Sequence, residues 1–307
     1  MNTSGIDVSK RIQTRCVICG ELKFCEVFPE RLRDDLFTPY AFSARRSRKG
    51  PEHYQVVRCK TCNTIRSNNI LEEEIANKLY SSSGYLYGEE AKFAAETYIE
   101  IIEQIRERLP GNPRILEIGC GSGFFLEKLQ SKGFGDFIGV EPSSDCIRYS
   151  HDAIKSRIIN DTFKPGKFRS ASFDLAVCFH TIDHLYSPGV FVDEIKKILT
   201  PGGYFVCVCH DVSAWSAKIL GENSFVFDVE HVHLFDKKTM RDFLERRGFV
   251  VERIDSLTNR YPLGYWLRLA PCGLRVAKIL PQFMLKKIVA LSAGNLFVIA
   301  QKPAVEL

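Results

Sequence analysis

The sequence lacks several features that define whole classes of protein. No uninterrupted apolar run in its 307 residues comes near the roughly 20 residues that a membrane-spanning helix needs. The first 20 residues are polar, so we expect no secretory signal. Apolar residues at 45% and charged residues at 26% are ordinary for a globular chain. These features predict a globular, cytoplasmic protein.

Acidic residues are absent from the stretch 256–301, and this absence is part of a wider charge pattern. Residues 1–70 and 256–307 each carry a net charge of +6, whereas residues 71–255 carry −7. This charge pattern predicts that the three ranges form regions of different structure. Because aromatic and basic residues alternate within 256–291, this segment could be ordinary packing, a helical lid, a dimer face or a peripheral contact with an anionic membrane.

The pattern of the eleven cysteines does not indicate a disulfide framework. Their number is odd, and Cys178, Cys207 and Cys209 lie inside apolar, strand-like runs. Because disulfides persist mainly in oxidising compartments, this usage favours a reducing cytosol. The remaining question is what the N-terminal cysteines do.

Two C-x-x-C pairs, Cys16 with Cys19 and Cys59 with Cys62, predict a structural zinc site of four thiolates. The 39 residues between the pairs exceed the common spacing, so we expect a small lobe rather than a single hairpin. Cys25 is a spare that could replace one ligand. Unbound thiols and redox chemistry are the alternatives.

After two segments of helical periodicity at 71–80 and 91–109, strand and helix signals alternate. Such alternation predicts parallel βαβ units and therefore a doubly wound α/β sheet. The expected strands are 114–118, 136–140, 157–160, 173–179, 203–209, 249–254 and 295–300, and the expected helices between them are 123–132, 143–155, 188–199 and 237–247.

The stretch 115–126 carries a G-x-G-x-G loop, Gly119 to Gly123, without the third glycine of the G-x-G-x-x-G pattern. Glu117 precedes the loop at a place where a carboxylate would repel a pyrophosphate, but would attract the amine and sulfonium of S-adenosylmethionine. Glu141, at the end of the next strand, can accept hydrogen bonds from a ribose diol. The combination predicts S-adenosylmethionine as the cofactor.

The successive segments ILEIGCGSG, GVEPS, FDLAVCFHTIDHLYSP and LTPGGYF resemble the motifs of class I S-adenosylmethionine-dependent methyltransferases over about 110–255. The resemblance implies a seven-stranded Rossmann-like sheet whose last strand is antiparallel. It also implies a cofactor site. Its residues would be Glu117, Gly119, Cys120, Gly121 and Gly123 at the methionine portion, Glu141 and Pro142 at the ribose, Asp161 and Thr162 at the adenine, and Phe179 and His180 beneath the cofactor.

Five of the seven histidines follow the expected strands, where ligands of open α/β sheets bind. They occur in three clusters: His180, Asp183 and His184; His210 and Asp211; and Glu230, His231 and His233. Similarity to sugar C-methyltransferases implies that Glu230 and His231 lie near the acceptor. We therefore expect His231, oriented by Glu230, to be the general base, with Tyr85 or Tyr87 closing over the acceptor and His180 nearby. His184 and His233 could simply pack, and a catalytic metal is the less favoured alternative.

A zinc lobe joined to such a core resembles methyltransferases of nucleotide-linked sugars and of polysaccharide or secondary-metabolite precursors. The sequence thus predicts a small-molecule methyltransferase with a zinc lobe (1–70), a helical connector over the active site (71–110), the cofactor-binding core (111–255) and a basic excursion with the last strand (256–307). The alternative is a nucleic-acid or protein methyltransferase docking through its zinc lobe, where Arg45, Arg46, Arg48 and Lys49 could contact phosphates. Nucleic acid is the less expected partner, a non-catalytic cofactor-binding protein is a third possibility, and the oligomeric state is open.

Overall fold

The computed structural model describes residues 9–32, 52–82, 90–270 and 273–304. Its strands are β1 (Arg11–Ile12), β2 (Phe24–Phe28), β3 (Gln55–Cys59), β4 (Ile65–Asn68), β5 (Ile70–Leu71), β6 (Ile115–Ile118), β7 (Phe137–Glu141), β8 (Ile158–Asn160), β9 (Phe173–Phe179), β10 (Leu199–His210), β11 (His233–Leu234), β12 (Val250–Ser256), β13 (Asn259–Pro262), β14 (Ile288–Leu291) and β15 (Asn295–Gln301). Its α-helices are α1 (Glu73–Ser81), α2 (Glu90–Glu103), α3 (Phe124–Ser131), α4 (Ser144–Arg148), α5 (Asp152–Lys155), α6 (Pro188–Ile198), α7 (Trp215–Leu220), α8 (Lys237–Glu245), α9 (Leu263–Leu269), α10 (Gly273–Ile279) and α11 (Gln282–Leu285).

A seven-stranded sheet forms the centre of the fold, in the order β12-β15-β10-β9-β6-β7-β8. The strands β6 to β10 pair in parallel, and β15 is antiparallel to both β10 and β12. Central strands β6 and β9 are almost entirely buried, as expected for a parallel sheet covered on both faces. The predicted doubly wound, Rossmann-like sheet with an antiparallel last strand is confirmed.

Helices cover the two faces of this sheet and create two cores. On one face, α2 and α3 bury residues such as Ile102 and Leu126 against the sheet. On the other face, α6 and α8 bury residues such as Ile195 and Phe243. The single helix expected over 143–155 is instead two short helices, α4 and α5, and α5 is capped at its start by the ring of His151.

The N-terminal region forms a separate four-stranded sheet in the order β11-β4-β3-β2. Its edge strand β11 comes from the segment between β10 and α8, and it pairs His233 with Arg66 of β4. The Arg66 side chain is fully buried and donates from Nε to the Thr14 carbonyl at 3.1 Å. The N-terminal sheet is therefore built partly from the chain that follows β10.

The chain between β12 and β15 contains the β13–β14 pair and the helices α9 to α11, and we call residues 257–294 the excursion. Because β12 runs parallel to the central strands and β15 runs against them, the excursion lies at the edge where the parallel strands end. Among the described residues, none of the helices has both the length and the apolar character required to cross a bilayer.

Candidate active site

The glycine loop begins directly after β6, in the middle of the sheet. Gly119, Gly121 and Gly123 have φ values of 76°, 54° and 80°, which side chains with a Cβ rarely adopt. A Cβ at Gly119 would lie 2.5 Å from Thr181 Oγ1, so this loop also touches the loop that follows β9. The geometry explains why glycines occupy these positions.

Two buried carboxylates flank the glycine loop. Glu141 accepts hydrogen bonds from the amides of Gly121 at 2.9 Å and Ser143 at 2.8 Å, and burial raises its pKa to about 7. Burial, and then the nearby Glu141, raise the pKa of Glu117 well above its ordinary value. Glu117 Oε2 is buried and has no hydrogen-bond partner in the described part of the chain. Because buried polar groups are normally paired, this oxygen marks a place for a donor that the protein itself does not supply.

The other residues expected at the cofactor occupy the same edge of the sheet. Asp161 and Thr162 follow β8, and an Asp161 oxygen accepts from the Thr162 amide at 2.7 Å while the other faces Lys167. Pro142 follows β7, and Cys120 is buried in the glycine loop. The ring of Phe179 stacks on Tyr98 of α2, with centroids 4.2 Å apart. The sequence did not reveal this stack, because no local pattern indicates a tertiary contact between two rings.

A buried Asp183 lies at the centre of a histidine cluster where β9 and β10 end. Its Oδ2 accepts from the backbone amide of His210 at 3.2 Å and is 2.6 Å from His210 Nδ1. Burial alone would raise the pKa of Asp183, but the facing histidines, His210 first, hold it well below its ordinary value. An ionised carboxylate on Nδ1 fixes the tautomer of His210 and leaves Nε2 able to accept a proton.

Three further histidines surround this pair. The ring centroids of His231 and His180 lie 4.1 Å and 4.8 Å from that of His210, and the His184 ring lies 5.0 Å from that of His231. Nδ1 of His231 is 2.8 Å from the Val226 carbonyl, so a backbone oxygen rather than the expected Glu230 carboxylate partners this nitrogen. Burial and the neighbouring His210 lower the pKa of His231 well below its ordinary value, so its imidazole is neutral.

His180 has an unusual backbone conformation, with a φ of 51° in the left-handed region. Its amide donates to the Val208 carbonyl of β10 at 2.8 Å, which holds the turn in place. Such conformations are uncommon for residues other than glycine and cluster at functional sites. The turn moves the chain away from the sheet directly after β9.

Ligand-type atoms of Asp183, His184 and His231, and likewise of His180, Asp183 and His210, lie within 4.8 Å of one another. His180 and His184 also have an H-x-x-x-H spacing, a signal that the sequence prediction did not use. Asp183 Oδ1 is 3.8 Å from His184 Nε2, and both atoms are buried without a hydrogen-bond partner among the described residues. The cluster thus combines an ionised carboxylate with imidazole nitrogens, the groups that proton transfer uses.

The N-terminal sheet contacts the histidine cluster through hydrogen bonds. Ser67 Oγ of β4 donates to the His231 carbonyl at 2.6 Å, and the Ser67 amide donates to the Val232 carbonyl at 2.9 Å. The Val232 amide in turn donates to the Asp183 carbonyl at 2.8 Å. The segment that carries His231 is thus held between the N-terminal sheet and the loop after β9.

The four cysteines of the two C-x-x-C pairs converge at one end of the N-terminal sheet. Sγ of Cys16 lies 3.3 Å from that of Cys62, and Sγ of Cys19 lies 3.6 Å from those of Cys59 and Cys62. A tetrahedral Zn²⁺ with bonds near 2.3 Å requires sulfurs about 3.8 Å apart, close to these values. Cys25 lies elsewhere, with its Sγ directed to the Arg58 carbonyl at 3.7 Å.

Some expected site residues lie outside the described residues. These are Tyr85 and Tyr87, which were expected to close over the acceptor, and the basic cluster Arg45, Arg46, Arg48 and Lys49. The strand-end positions of His210 and Asp183 were recognised in the sequence, but their pairing was not. Their separation of 27 residues gives no local pattern that could reveal it.

A seven-stranded sheet with an antiparallel last strand, and a glycine loop and acidic residues at the ends of its central strands, is the architecture of class I S-adenosylmethionine-dependent methyltransferases. The chain belongs to the family described as "Methyltransferase domain", which matches residues 90–254, more than half of the chain. The chain therefore contains a methyltransferase domain of the class that the sequence motifs resemble.

The chain is also similar to other methyltransferases over part of its length. An uncharacterized methyltransferase of Schizosaccharomyces pombe is 31% identical over 112 residues, which cover 31% of this chain and 38% of the relative. The ubiquinone biosynthesis O-methyltransferase of Pectobacterium atrosepticum is 24% identical over 53% of this chain and 74% of its own length. A crystal structure of a methyltransferase from Archaeoglobus fulgidus matches 69% of this chain and 97% of its own, at 20% identity and a TM-score of 0.49. This chain thus spans less than half the length of the S. pombe relative.

Proposed function

We propose that the acceptor is a small molecule whose reacting group loses its proton to His210, held in place by Asp183. The observation that carries this proposal is the short contact from His210 Nδ1 to the buried Asp183 carboxylate, at 2.6 Å. The His210 side chain is 21% exposed, so an acceptor can reach it, whereas His231 is only 4% exposed. Methyl transfer to a hydroxyl, an amine or a carbon acid requires such a proton acceptor.

The other expected catalytic residues complete the acceptor site in this proposal. His231, neutral because it is buried, lies against His210 and would shape the acceptor site beside it rather than take up the proton. His180 flanks His210 on the side of the cofactor loop, since its neighbour Thr181 touches Gly119. Glu230 stays in the proposed acceptor site because it precedes His231 in the chain. Tyr85 is still predicted to close over the acceptor.

The glycine loop and its two carboxylates would hold the cofactor, which supplies a methyl group on an activated sulfonium. Glu117, with its unpaired Oε2, would receive the amino group of the methionine portion beside Gly119, Cys120, Gly121 and Gly123. The oxygens of Glu141 keep lone pairs beyond those used by the two amides, and these would accept the ribose hydroxyls beside Pro142. Asp161 and Thr162 would contact the adenine. Phe179 and His180 would lie beneath the cofactor.

We also propose that residues 1–70 form a zinc-binding lobe whose ligands are Cys16, Cys19, Cys59 and Cys62. The sulfur separations of 3.3–3.6 Å support a tetrahedral site. Residues 71–110 would connect this lobe to the core at 111–255, and 256–307 would carry the excursion and last strand. Because Ser67 holds the His231 carbonyl, zinc would act on catalysis indirectly, through the position of that segment.

The acceptor class follows from these features and from the relatives. A ubiquinone biosynthesis O-methyltransferase among them favours an oxygen acceptor. Nucleotide-linked sugars and precursors of polysaccharides or secondary metabolites remain the acceptor classes that we propose from the sequence. In each of these, a hydroxyl or an activated carbon must lose a proton as the methyl group arrives.

The test is to incubate the purified protein and isotope-labelled cofactor with separated small-molecule, RNA and protein fractions of a cell extract. We expect label in the small-molecule fraction, and its loss with His210→Asn although that variant still binds the cofactor. Label that enters RNA or protein instead would refute the proposal. Unchanged labelling by His210→Asn would refute the role of His210.

A further inference from the structure

We propose that the excursion is a docking surface for an anionic phospholipid bilayer. Its outer face exposes large apolar side chains that a globular protein normally covers, above all Ile279 at 81% and Phe283 at 75%. Val276, Met284, Ile288 and Leu291 are also exposed, within the same short segment. Large exposed apolar side chains gathered in one short segment are typical of a site of interaction.

Exposed cations occur in the same segment as these apolar side chains. Arg268, Arg275, Lys278, Lys286 and Lys287 are all exposed, and no acidic residue occurs from 256 to 301. Interfacial membrane-binding segments combine apolar side chains, which enter the boundary of the acyl chains, with nearby cations, which meet the lipid phosphates.

The inner face of the excursion is already used for packing, so the outer face is not needed to hold the fold together. Tyr261 is buried, and its ring lies 5.3 Å from that of Trp266 and 6.5 Å from that of Phe93 in α2. Trp266 Nε1 donates to the Val289 carbonyl at 2.9 Å. The aromatic residues Tyr261 and Trp266 thus lie on the packed side of the segment, whereas Ile279 and Phe283 are exposed.

The neighbouring helix α7 extends the apolar surface. It also starts at the edge of the sheet where the parallel strands end, and its Trp215 Nε1 donates to the Ser292 carbonyl of the excursion at 2.7 Å. Trp215 and Ile219 are both exposed. The docking surface therefore lies at the same edge of the sheet as the glycine loop and His210.

The charges argue for a bilayer rather than for a second copy of this chain. Two copies meeting through this face would bring the same cations together without an acidic partner in the segment, which is unfavourable. Nucleic acid would use the cations but would leave Ile279 and Phe283 exposed. An anionic bilayer satisfies both the charged and the apolar side chains.

The test is vesicle co-sedimentation of the full chain at low salt, with phosphatidylcholine alone and with about one third phosphatidylglycerol. We expect binding to the anionic vesicles that weakens as salt is added. Phe283→Asp and Lys286→Glu should each weaken it by about tenfold or more, because one removes an apolar contact and the other reverses a charge.

Matched controls lie on the opposite edge of the sheet. Val250→Asp, at the start of β12, and Lys132→Glu, after α3, also change exposed residues and should bind vesicles like the unaltered protein. Calorimetric affinity for S-adenosylmethionine should stay unchanged in all four variants, which shows that they are folded without requiring turnover. Protein that remains in the supernatant, or Phe283→Asp that binds like the unaltered protein, would overturn the proposal. So would a dimer in light scattering that Phe283→Asp converts to a monomer.

Discussion

Asp183 contacts His210 twice, through the backbone amide at 3.2 Å and through ring Nδ1 at 2.6 Å. The first hydrogen bond fixes the end of β10 relative to the loop after β9, and the second fixes the orientation of the imidazole. One buried carboxylate thus couples the position of a strand end to the tautomer of His210. Because the same loop touches Gly119 through Thr181, this pair also fixes the position of His210 relative to the glycine loop.

We predict that Asp183→Asn lowers kcat by about 100-fold or more, because the amide cannot hold His210 in the tautomer that leaves Nε2 unprotonated. His210→Asn should cost about as much, and the double variant should be little worse than either single one, because the two residues act as a unit. Steady-state kinetics measures all three. Costs that simply add in the double variant would show that the residues act independently.

Glu117→Gln tests the cofactor site. We expect the affinity for S-adenosylmethionine to fall by about tenfold or more, because the amide cannot ionise to meet the positively charged amino group of the cofactor. Isothermal titration calorimetry measures the change. Glu127→Gln, on α3 beyond the glycine loop, is the control and should bind the cofactor normally. Equal affinities for Glu117→Gln and the unaltered protein would remove Glu117 from the site.

The zinc proposal predicts different results for two cysteines of the N-terminal sheet. Cys59→Ser should lose the bound zinc and lower the melting temperature, whereas Cys25→Ser should keep both, because only Cys59 belongs to the four-sulfur cluster. Metal content by mass spectrometry and thermal unfolding measure the two effects. Cys59→Ser should also lose activity, since the lobe holds the His231 segment through Ser67. Full zinc content in Cys59→Ser would contradict the assignment.

Periodicity and motif order predicted the central sheet well, because each strand and helix leaves a local signal. The strand expected over 173–179, for example, occupies those residues in the structure. Strand-end positions likewise indicated that His180, His210 and Asp183 would lie at one edge of the sheet. Such sequence patterns locate a strand, a helix or a strand-end residue along the chain to within one or two helical turns.

Side-chain partners across large sequence separations were beyond prediction. The sequence pairs Glu230 with His231 as neighbours, yet the Val226 carbonyl partners Nδ1 and the ring lies against His210. The pairing of β11 with β4 was also unforeseen, because two-residue strands carry almost no pattern. That pairing is what joins the N-terminal sheet to the candidate site, and only the tertiary fold specifies it.

The pairing of β11 with β4 also buries His233, and burial lowers its pKa from 6.5 to about 4. A histidine with a depressed pKa in the folded state binds its proton more tightly when unfolded, so it costs stability as the pH falls from 6.5 towards 4. We therefore predict that the free energy of unfolding of the unaltered protein falls relative to that of His233→Gln by about 1.4 kcal/mol per pH unit in this range. Other titrating groups are common to both proteins and cancel in the difference. Urea unfolding at several pH values measures it, and above about pH 7.5 the difference should be constant. A difference that does not change between pH 6.5 and 4 would mean that His233 is not buried against the N-terminal sheet.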